Sequence, residues 1–485
     1  MDYALGAVFT PPPTALWGAE ISGLLDLWIQ GGRILDPTCG SGNLLLALVE
    51  GARNRGLKIS QEMISRLYGM ERDPQYLSLL TQKWQQENIP PIPKKNLVLG
   101  DFLTLAPPDW PPMEGIFSNP PWITFADLPP EHKEMYRPLF LEFNLVKNKK
   151  SVLWGSSRVD LAALIWIKVL KNHLAPQGIM GIFAPLSLFL NPGAHREFRR
   201  ELADHIAWKG VWDWGQASPF PQVATRCAFY ALEKSPSPSQ VIPYYTQEST
   251  QEPISWELQG ANPWPQVSDS WLVGMGGKVP DWKPVILPPG VRCRQGVNTS
   301  GANEAFIFDF IPPGEAARYF FPLADPETSA PRYIFLPYRQ DTGKILPAEI
   351  IQKWEADPWF QTWSNRWKET LTRRKGPMIK VMGEKGYWWQ LLGVGPYTFK
   401  PWKILWKAFG SRNFNPVLLG NREGKPVIPF QALQAYLSFD TEKEALRVLE
   451  KIRELPIQEI LNQSRILDGK SGAQPGRMSP FFQYS

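Results

Sequence analysis

The feature that most constrains this chain is a repeating break in its first half, where short apolar runs each stop at a polar or glycine-rich cluster. Ile34-Leu35 stops at Asp36-Pro37-Thr38-Cys39-Gly40-Ser41-Gly42, and Leu67 to Met70 stops at Glu71. Asn96 to Leu99 stops at Gly100-Asp101, and Ile116-Phe117 at Ser118-Asn119. Amphipathic stretches lie between them. Asn43 to Glu50 and Leu161 to His173 read as helices, and Ile179 to Phe183 as a further strand. Strands alternating with helices predict an α/β fold, a mostly parallel sheet with helices on both faces. In an open sheet of this kind the carboxyl ends of the strands form the binding edge, and every cluster falls at such an end.

A chain of 485 residues exceeds one ordinary core, so a second domain is expected. Residues 1–235 carry the alternating pattern, and 236–290 turn to Pro, Ser and Gln (Ser235-Pro236-Ser237-Pro238-Ser239), which reads as a connector. Residues 291–485 have weak periodicity and read as a mixed α+β domain, with one clear helix from Glu442 to Leu455. Cys39, Cys227 and Cys293 are few, scattered and odd in number, which disfavours a disulfide framework. His132, His173, His195 and His205 show no ligand-like spacing with them, so no metal is expected. The start lacks a basic head and apolar stretch, and the run Ile179 to Leu190 is broken by Gly181 and Pro185, so the expectation is a cytoplasmic protein without membrane contact.

Three strand ends describe a ligand. The glycines of Asp36 to Gly42 let a ligand approach the backbone at the start of a helix. No Lys-Ser/Thr follows as in a phosphate loop, and the run is too short for the three-glycine dinucleotide fingerprint. Glu71 is placed to accept from both hydroxyls of a ribose. Asp101 offers a carboxylate to an exocyclic amine and Phe102 a ring to an adenine face. Together they suit an adenosine without phosphate, as in S-adenosylmethionine.

The fourth strand end, Asn119-Pro120-Pro121-Trp122, is the sharpest signal. Methylating an aromatic amine requires acceptors that hold its N–H groups while the nitrogen becomes tetrahedral. The Asn119 side-chain oxygen and Pro120 carbonyl meet that need, the prolines stiffen the loop, and Trp122 can stack on a base. Chance Pro-Pro pairs are common among 49 prolines, but Pro107-Pro108, Pro111-Pro112 and Pro129-Pro130 lack the preceding strand and Asn.

At these residues the chain resembles the gamma-class amino-methyltransferases of bacterial restriction-modification systems, including the Taq-type adenine enzymes and the methylating part of type IIG proteins. Gly6 to Pro12 looks like that family's motif X, with Phe9 and Thr10 bordering the methionine half of the cofactor. Asp36, Thr38, Gly40 and Gly42 fall in motif I, Glu71 in motif II, Asp101 and Phe102 in motif III, and Asn119 to Trp122 in motif IV. Asp160-Leu161 looks like motif V, and Phe220 stands where motif VIII supplies an aromatic that packs on the target base. Weaker similarity covers Arg294 to Phe306 and Tyr333 to Tyr338, in a segment where such proteins carry target recognition. The resemblance implies a Rossmann-like S-adenosylmethionine-dependent methyltransferase sheet followed by a target recognition domain, acting on the N6 of a flipped-out adenine in double-stranded DNA. It also implies a restriction-modification or phage-defence setting, with a separately encoded nuclease or defence subunit as a candidate partner. Trp122 departs from the Tyr or Phe commoner in the family. A loose Asp269…Asp281-Trp282-Lys283 nuclease-like pattern reads as chance, and no cleavage is expected.

The charge is local. Between Arg366 and Arg412 eleven Lys and Arg stand against two Glu, a net +9 within a chain of net +6. Arg373, Arg374 and Lys375 are the candidate DNA contacts, interleaved with aromatics such as Trp363, Trp367 and Trp388. Trp402 and Trp406 have helical spacing and fit a packed core equally well. N4-cytosine, an RNA base, a protein glutamine and a catalytically silent DNA-binding subunit stay open as alternatives.

Overall fold

The computed structural model describes the chain from Val8 to Tyr484 apart from residues 106–108, 147–156, 192, 216, 221–222, 224, 236, 238–241, 248–255, 265–268, 275–281, 325–330, 348–349, 351–353, 375–385, 409–412, 431–432 and 464–472. It divides into two compact units, Met1–Val279 and Pro280–Ser485. Among the described residues no helix is long and apolar enough to cross a membrane.

The first unit is built on a nine-stranded sheet. Its strands are β1 (Ile34–Asp36), β2 (Leu67–Glu71), β3 (Leu97–Leu99), β4 (Met113–Ser118), β5 (Leu174–Pro185), β6 (Ile206–Asp213), β7 (Cys227–Lys234), β8 (Tyr244–Gln247) and β9 (Trp256–Leu258). The spatial order is β3-β2-β1-β4-β5-β7-β6-β8-β9. Strands β1 to β5 pair in parallel, while β7 runs antiparallel between β5 and β6. Chain order reverses between β1 and β4, the position at which open α/β sheets gather ligands. Both β1 and β2 are buried along their whole length, as parallel strands covered on two faces must be.

Coverage is tight on both sides. The helix Leu161–Asn172 is buried without a break from Leu161 to Leu170. On the other side the helix Leu24–Ile29 lies directly on β4 and β5, and glycine allows it. A Cβ at Gly115 would come within 2.3 Å of the Ile34 side chain and 2.8 Å of Leu24, distances no packed core tolerates.

The stretch 236–290, expected as a connector, instead extends this unit to Val279. It supplies β8 and β9 to the sheet and a hairpin of β10 (Ala261–Trp264) and β11 (Ser270–Val273). Its aromatics are the cause. Tyr244 is buried with its hydroxyl donating to Asp213 at 2.7 Å, and Trp271 stacks on Phe189 at 4.1 Å between ring centroids. Asp269 of the loose nuclease-like pattern ion-pairs with Arg196 and Arg200, and Asp281 lies outside the described residues.

The second unit is mixed α+β. Strands β12 (Val285–Leu287) and β20 (Phe482–Tyr484) pair in parallel. Strands β13 (Arg294–Gln295), β17 (Trp402–Lys407), β18 (Val417–Leu419) and β19 (Gln434–Phe439) form an antiparallel sheet ordered β13-β19-β17-β18. A smaller sheet holds β14 (Ile307–Phe308), β15 (Phe320–Pro322) and β16 (Tyr333–Phe335). The expected late helix spans Glu442–Arg453, capped by the Thr441 hydroxyl, acidic at its start and basic at its end. It buries Ala445, Val448, Leu449 and Ile452, one stripe at helical spacing. Trp402 and Trp406, whose spacing is helical, lie on a strand, where residues four apart also share a face. Trp406 is core, its indole donating to the Ala473 carbonyl.

Candidate active site

The cluster after β1 turns the chain sharply. Gly40 and Gly42 both take positive φ, +52° and +79°. A Cβ at Gly42 would strike Leu80 at 2.6 Å, and one at Gly40 would press on the Phe9 ring at 3.1 Å. Both positions therefore need glycine, for backbone and for space. Gly42 serves by packing and does not line the cavity, whereas Gly40 does.

That cavity opens at the carboxyl ends of β1, β2 and β3, with an empty volume of about 1100 Å³ that includes open solvent. Phe9, Thr10, Asp36, Thr38, Gly40, Glu71, Asp101, Phe102, Asn119 and Pro121 line it, as do Asn43, Tyr76 and Tyr136, which no local pattern marks. Strands β1 and β2 deliver their terminal side chains, Asp36 and Glu71, and the turns after β3 and β4 bring Asp101 and Asn119 to the same edge. The sequence-predicted cofactor residues, Gly42 aside, are thus brought together from four separate segments, and Asn119 and Pro121 join them from a fifth.

Glu71 is anchored by the backbone around it. One carboxylate oxygen accepts from Gly40 N and the other from Asp73 N, both at 2.8 Å. Burial still holds its pKa above the usual carboxylate range. Asp36 is more extreme, its pKa pushed by burial to about 8, with one oxygen accepting from Thr38 N at 3.1 Å. Asp101 accepts from Leu103 N at 2.8 Å and from the Tyr136 hydroxyl on its other oxygen, so each oxygen keeps a free lone pair. Phe102 is buried, with the Lys168 ammonium over its ring at 5.2 Å. Phe9 is 41% exposed and meets the Tyr76 ring edge-on at 4.9 Å. Burial drives the Cys39 thiol far above its ordinary value, which suits packing and not nucleophilic chemistry.

The Asn119 amide has one side fully used and the other bare. Its Nδ2 donates to the Val8 carbonyl at 2.9 Å and to the Thr10 hydroxyl at 3.0 Å. Its Oδ1 is buried and has no hydrogen-bond partner. Pro120 and Pro121 add no N–H, so Asn119 Oδ1 and the proline carbonyls present only acceptors. Beyond it the chain is pinned. Leu161 N donates to the Ile123 carbonyl and Phe125 N to the Val159 carbonyl, both at 2.9 Å, and Asp160 between them meets His195 at 2.8 Å.

Trp122 and Phe220, expected to sandwich a target base, meet each other edge-on. Their centroids lie 5.1 Å apart at 78°, and neither residue lines the cavity. A flat ring held between them would first have to part this contact. The buried indole N–H of Trp122 is unpartnered.

Of the basic cluster, Arg373 is exposed and pairs with Glu369 one turn back. Arg374 departs from the expected phosphate contact because its guanidinium is turned inward. It donates to the carbonyls of Leu371, Thr299, Trp388 and Gln390, which leaves it little to give to a phosphate. Lys375 lies outside the described residues.

The sheet order, its antiparallel seventh strand and the strand-end cavity define the class: the first unit has the S-adenosylmethionine-dependent methyltransferase fold. Residues 3–214 match the family model described as N-6 DNA Methylase. Among solved structures, that of the type IIL restriction-modification enzyme MmeI in complex with DNA aligns at a TM-score of 0.57 and 14% identity, over 95% of this chain and 64% of that one. The DrdV–DNA complex aligns at 0.53 and 14% identity, over 90% of this chain and 49% of that one. At such identities the likeness is one of fold. The chain therefore spans less than two thirds of either enzyme. No curated protein sequence matches it.

Proposed function

We propose that this chain methylates an amino nitrogen of a base extruded from duplex DNA, the N6 of adenine, using S-adenosylmethionine. The observation that carries the reading is the bare, buried Oδ1 of Asn119 at the edge of a cavity whose other walls suit an adenosine. A buried carbonyl oxygen without a donor costs on the order of 1–3 kcal/mol, a cost that a ligand N–H removes. The cavity residues fit the cofactor by chemistry. Glu71 keeps acceptor capacity toward two hydroxyls, Asp101 toward an amine, and Phe102 and Phe9 present rings.

The cofactor supplies an electrophilic methyl group. The chain's own residues do the rest. Asn119 Oδ1 and the Pro120 carbonyl accept the two N–H bonds of the amine, which draws the nitrogen lone pair out of ring conjugation. Trp122 and Phe220 exchange their edge contact for the faces of the extruded base. No protein nucleophile is required, in keeping with the buried thiol of Cys39. The second unit is the target recognition part, with Arg373 the cluster residue presented to phosphate. We place the activity in restriction-modification or phage defence, with cleavage supplied by a separate protein.

The test is transfer of a labelled methyl group to duplex DNA, followed by nucleoside analysis. N6-methyladenine is the expected product, and N4-methylcytosine or labelled RNA would replace the acceptor named here. Asn119→Ala should lower single-turnover transfer by roughly 10²–10³. Wild-type rates in that variant would end the mechanism.

A further inference from the structure

A primary amide has nearly the same shape either way round, so something must choose which end of Asn119 faces the acceptor. The Val8 carbonyl can only accept, so it takes Nδ2 and turns Oδ1 outward. The Asn119 orientation is therefore only as firm as the short segment Val8–Thr10 beside it.

That segment is held from a distance. The Thr10 carbonyl accepts from Asn43 Nδ2 at 2.8 Å. The Asn43 Oδ1 accepts in turn from the Lys83 ammonium at 2.7 Å, and Lys83 also donates to the Ser41 hydroxyl at 3.0 Å. Asn43 opens the helix Asn43–Asn54, and Lys83 sits in the last turn of the helix Pro74–Gln86. Each link has a fixed direction. An ammonium only donates and a carbonyl only accepts, so neither Asn43 nor Asn119 can flip without setting like against like. Among the described residues Lys83 ion-pairs with no carboxylate, so its charge is directed onto two neutral oxygens. Thr10 is buried, and Lys83 does not line the cavity.

We propose that Lys83 and Asn43 are positioning residues for methyl transfer: with Thr10 they form a directed hydrogen-bond relay that fixes the Asn119 amide with Oδ1 toward the methyl acceptor. The relay rests on the function proposed above for its consequence, though not for its existence. It joins three elements far apart in sequence, and its outermost member, Lys83, acts from outside the cavity.

The experiment compares Lys83→Met, Lys83→Arg, Thr10→Val, Thr10→Ser and the double variant Lys83→Met/Thr10→Val. Lys83→Met and Thr10→Val should each slow single-turnover transfer by about tenfold, on the scale of one lost orienting hydrogen bond. Lys83→Arg and Thr10→Ser keep the donor and the hydroxyl and should recover most of the rate. Severing one chain twice should cost little more than severing it once, in rate and in unfolding free energy alike. The Kd for S-adenosylhomocysteine should stay within about twofold of wild type in Lys83→Met, because that residue is outside the cavity. Full activity in Lys83→Met, strictly multiplicative losses in the double variant, or a loss confined to cofactor Kd would each overturn the relay. A wild-type protein that transfers no methyl to DNA would instead remove the proposed function. The unfolding cycle would then still decide whether the relay exists.

Discussion

Glu71→Gln is the most incisive single change at the proposed cofactor site. Each carboxylate oxygen of Glu71 accepts a backbone N–H, from Gly40 on one side and Asp73 on the other. An amide has one oxygen, so whichever way Gln turns, its NH2 must face one of those two N–H groups. The side chain then either keeps its place with a donor against a donor or swings away, and both outcomes spoil the acceptor pair offered to a ribose. Replacing a charged acceptor costs about 1.5–3 kcal/mol per site, which is roughly ten- to a hundredfold in Kd for S-adenosylmethionine. Stability of the free protein is the wrong readout, because removing a buried charge offsets the lost hydrogen bond. Titration calorimetry reads the effect directly. The cofactor-induced rise in Tm reads it again, since a hundredfold weaker Kd removes about 2.7 kcal/mol of ligand stabilisation. The pH dependence has a definite sign. The carboxylate is the acceptor and its pKa is raised, so wild-type affinity should weaken on acidification earlier than an ordinary Glu would allow, while Glu71→Gln stays flat. An unchanged Kd in Glu71→Gln would refute the assignment of this residue to the ribose.

Three further outcomes follow from the same structure. Asp36 has its folded pKa raised to about 8, so its contribution to stability is greatest below its unfolded value and falls as pH rises from about 4 to 8. Asp36→Asn keeps the bond from Thr38 N, and its Tm should therefore gain on wild type across that window, measured by thermal melts at pH 5 and 8.5. Lys403 is buried with its pKa lowered to about 7, so Lys403→Met should raise Tm at neutral pH, with the gain disappearing as pH approaches about 10.4. Arg374→Ala should lower Tm by leaving four carbonyls short of a donor, whereas Arg373→Ala should keep Tm and reduce the salt dependence of DNA binding by about one unit of slope.

Much of the first unit was legible because each strand ends where an apolar run meets a polar cluster. Asp36, Glu71, Asp101 and Asn119 could be placed at one edge from that pattern alone. The helix Leu161–Asn172 was legible as a solid apolar block. What local pattern cannot carry is pairing across distance. Tyr136 reaches Asp101 from 35 positions away, and Lys83 reaches Asn43 from 40. The strands after residue 236 hid in a Pro- and Ser-rich texture, although Tyr244, Tyr245, Trp256 and Trp271 were the available signal. In the second unit the run Arg373-Arg374-Lys375 looked like one charged patch, but successive side chains on a helix end point different ways, and Arg374 went inward.

The acceptor-only lip formed by Asn119 and the two prolines carries a further meaning for discrimination. With both Nδ2 hydrogens committed to Val8 and Thr10, the amide cannot turn round to greet an incoming oxygen. On the proposed reading, a deaminated base such as hypoxanthine would bring a carbonyl where adenine brings its amine, and oxygen would stand against oxygen at Asn119, whose own donors are both committed. If the site takes an amino group as proposed, the same stiffness should make it reject the deaminated form of that base.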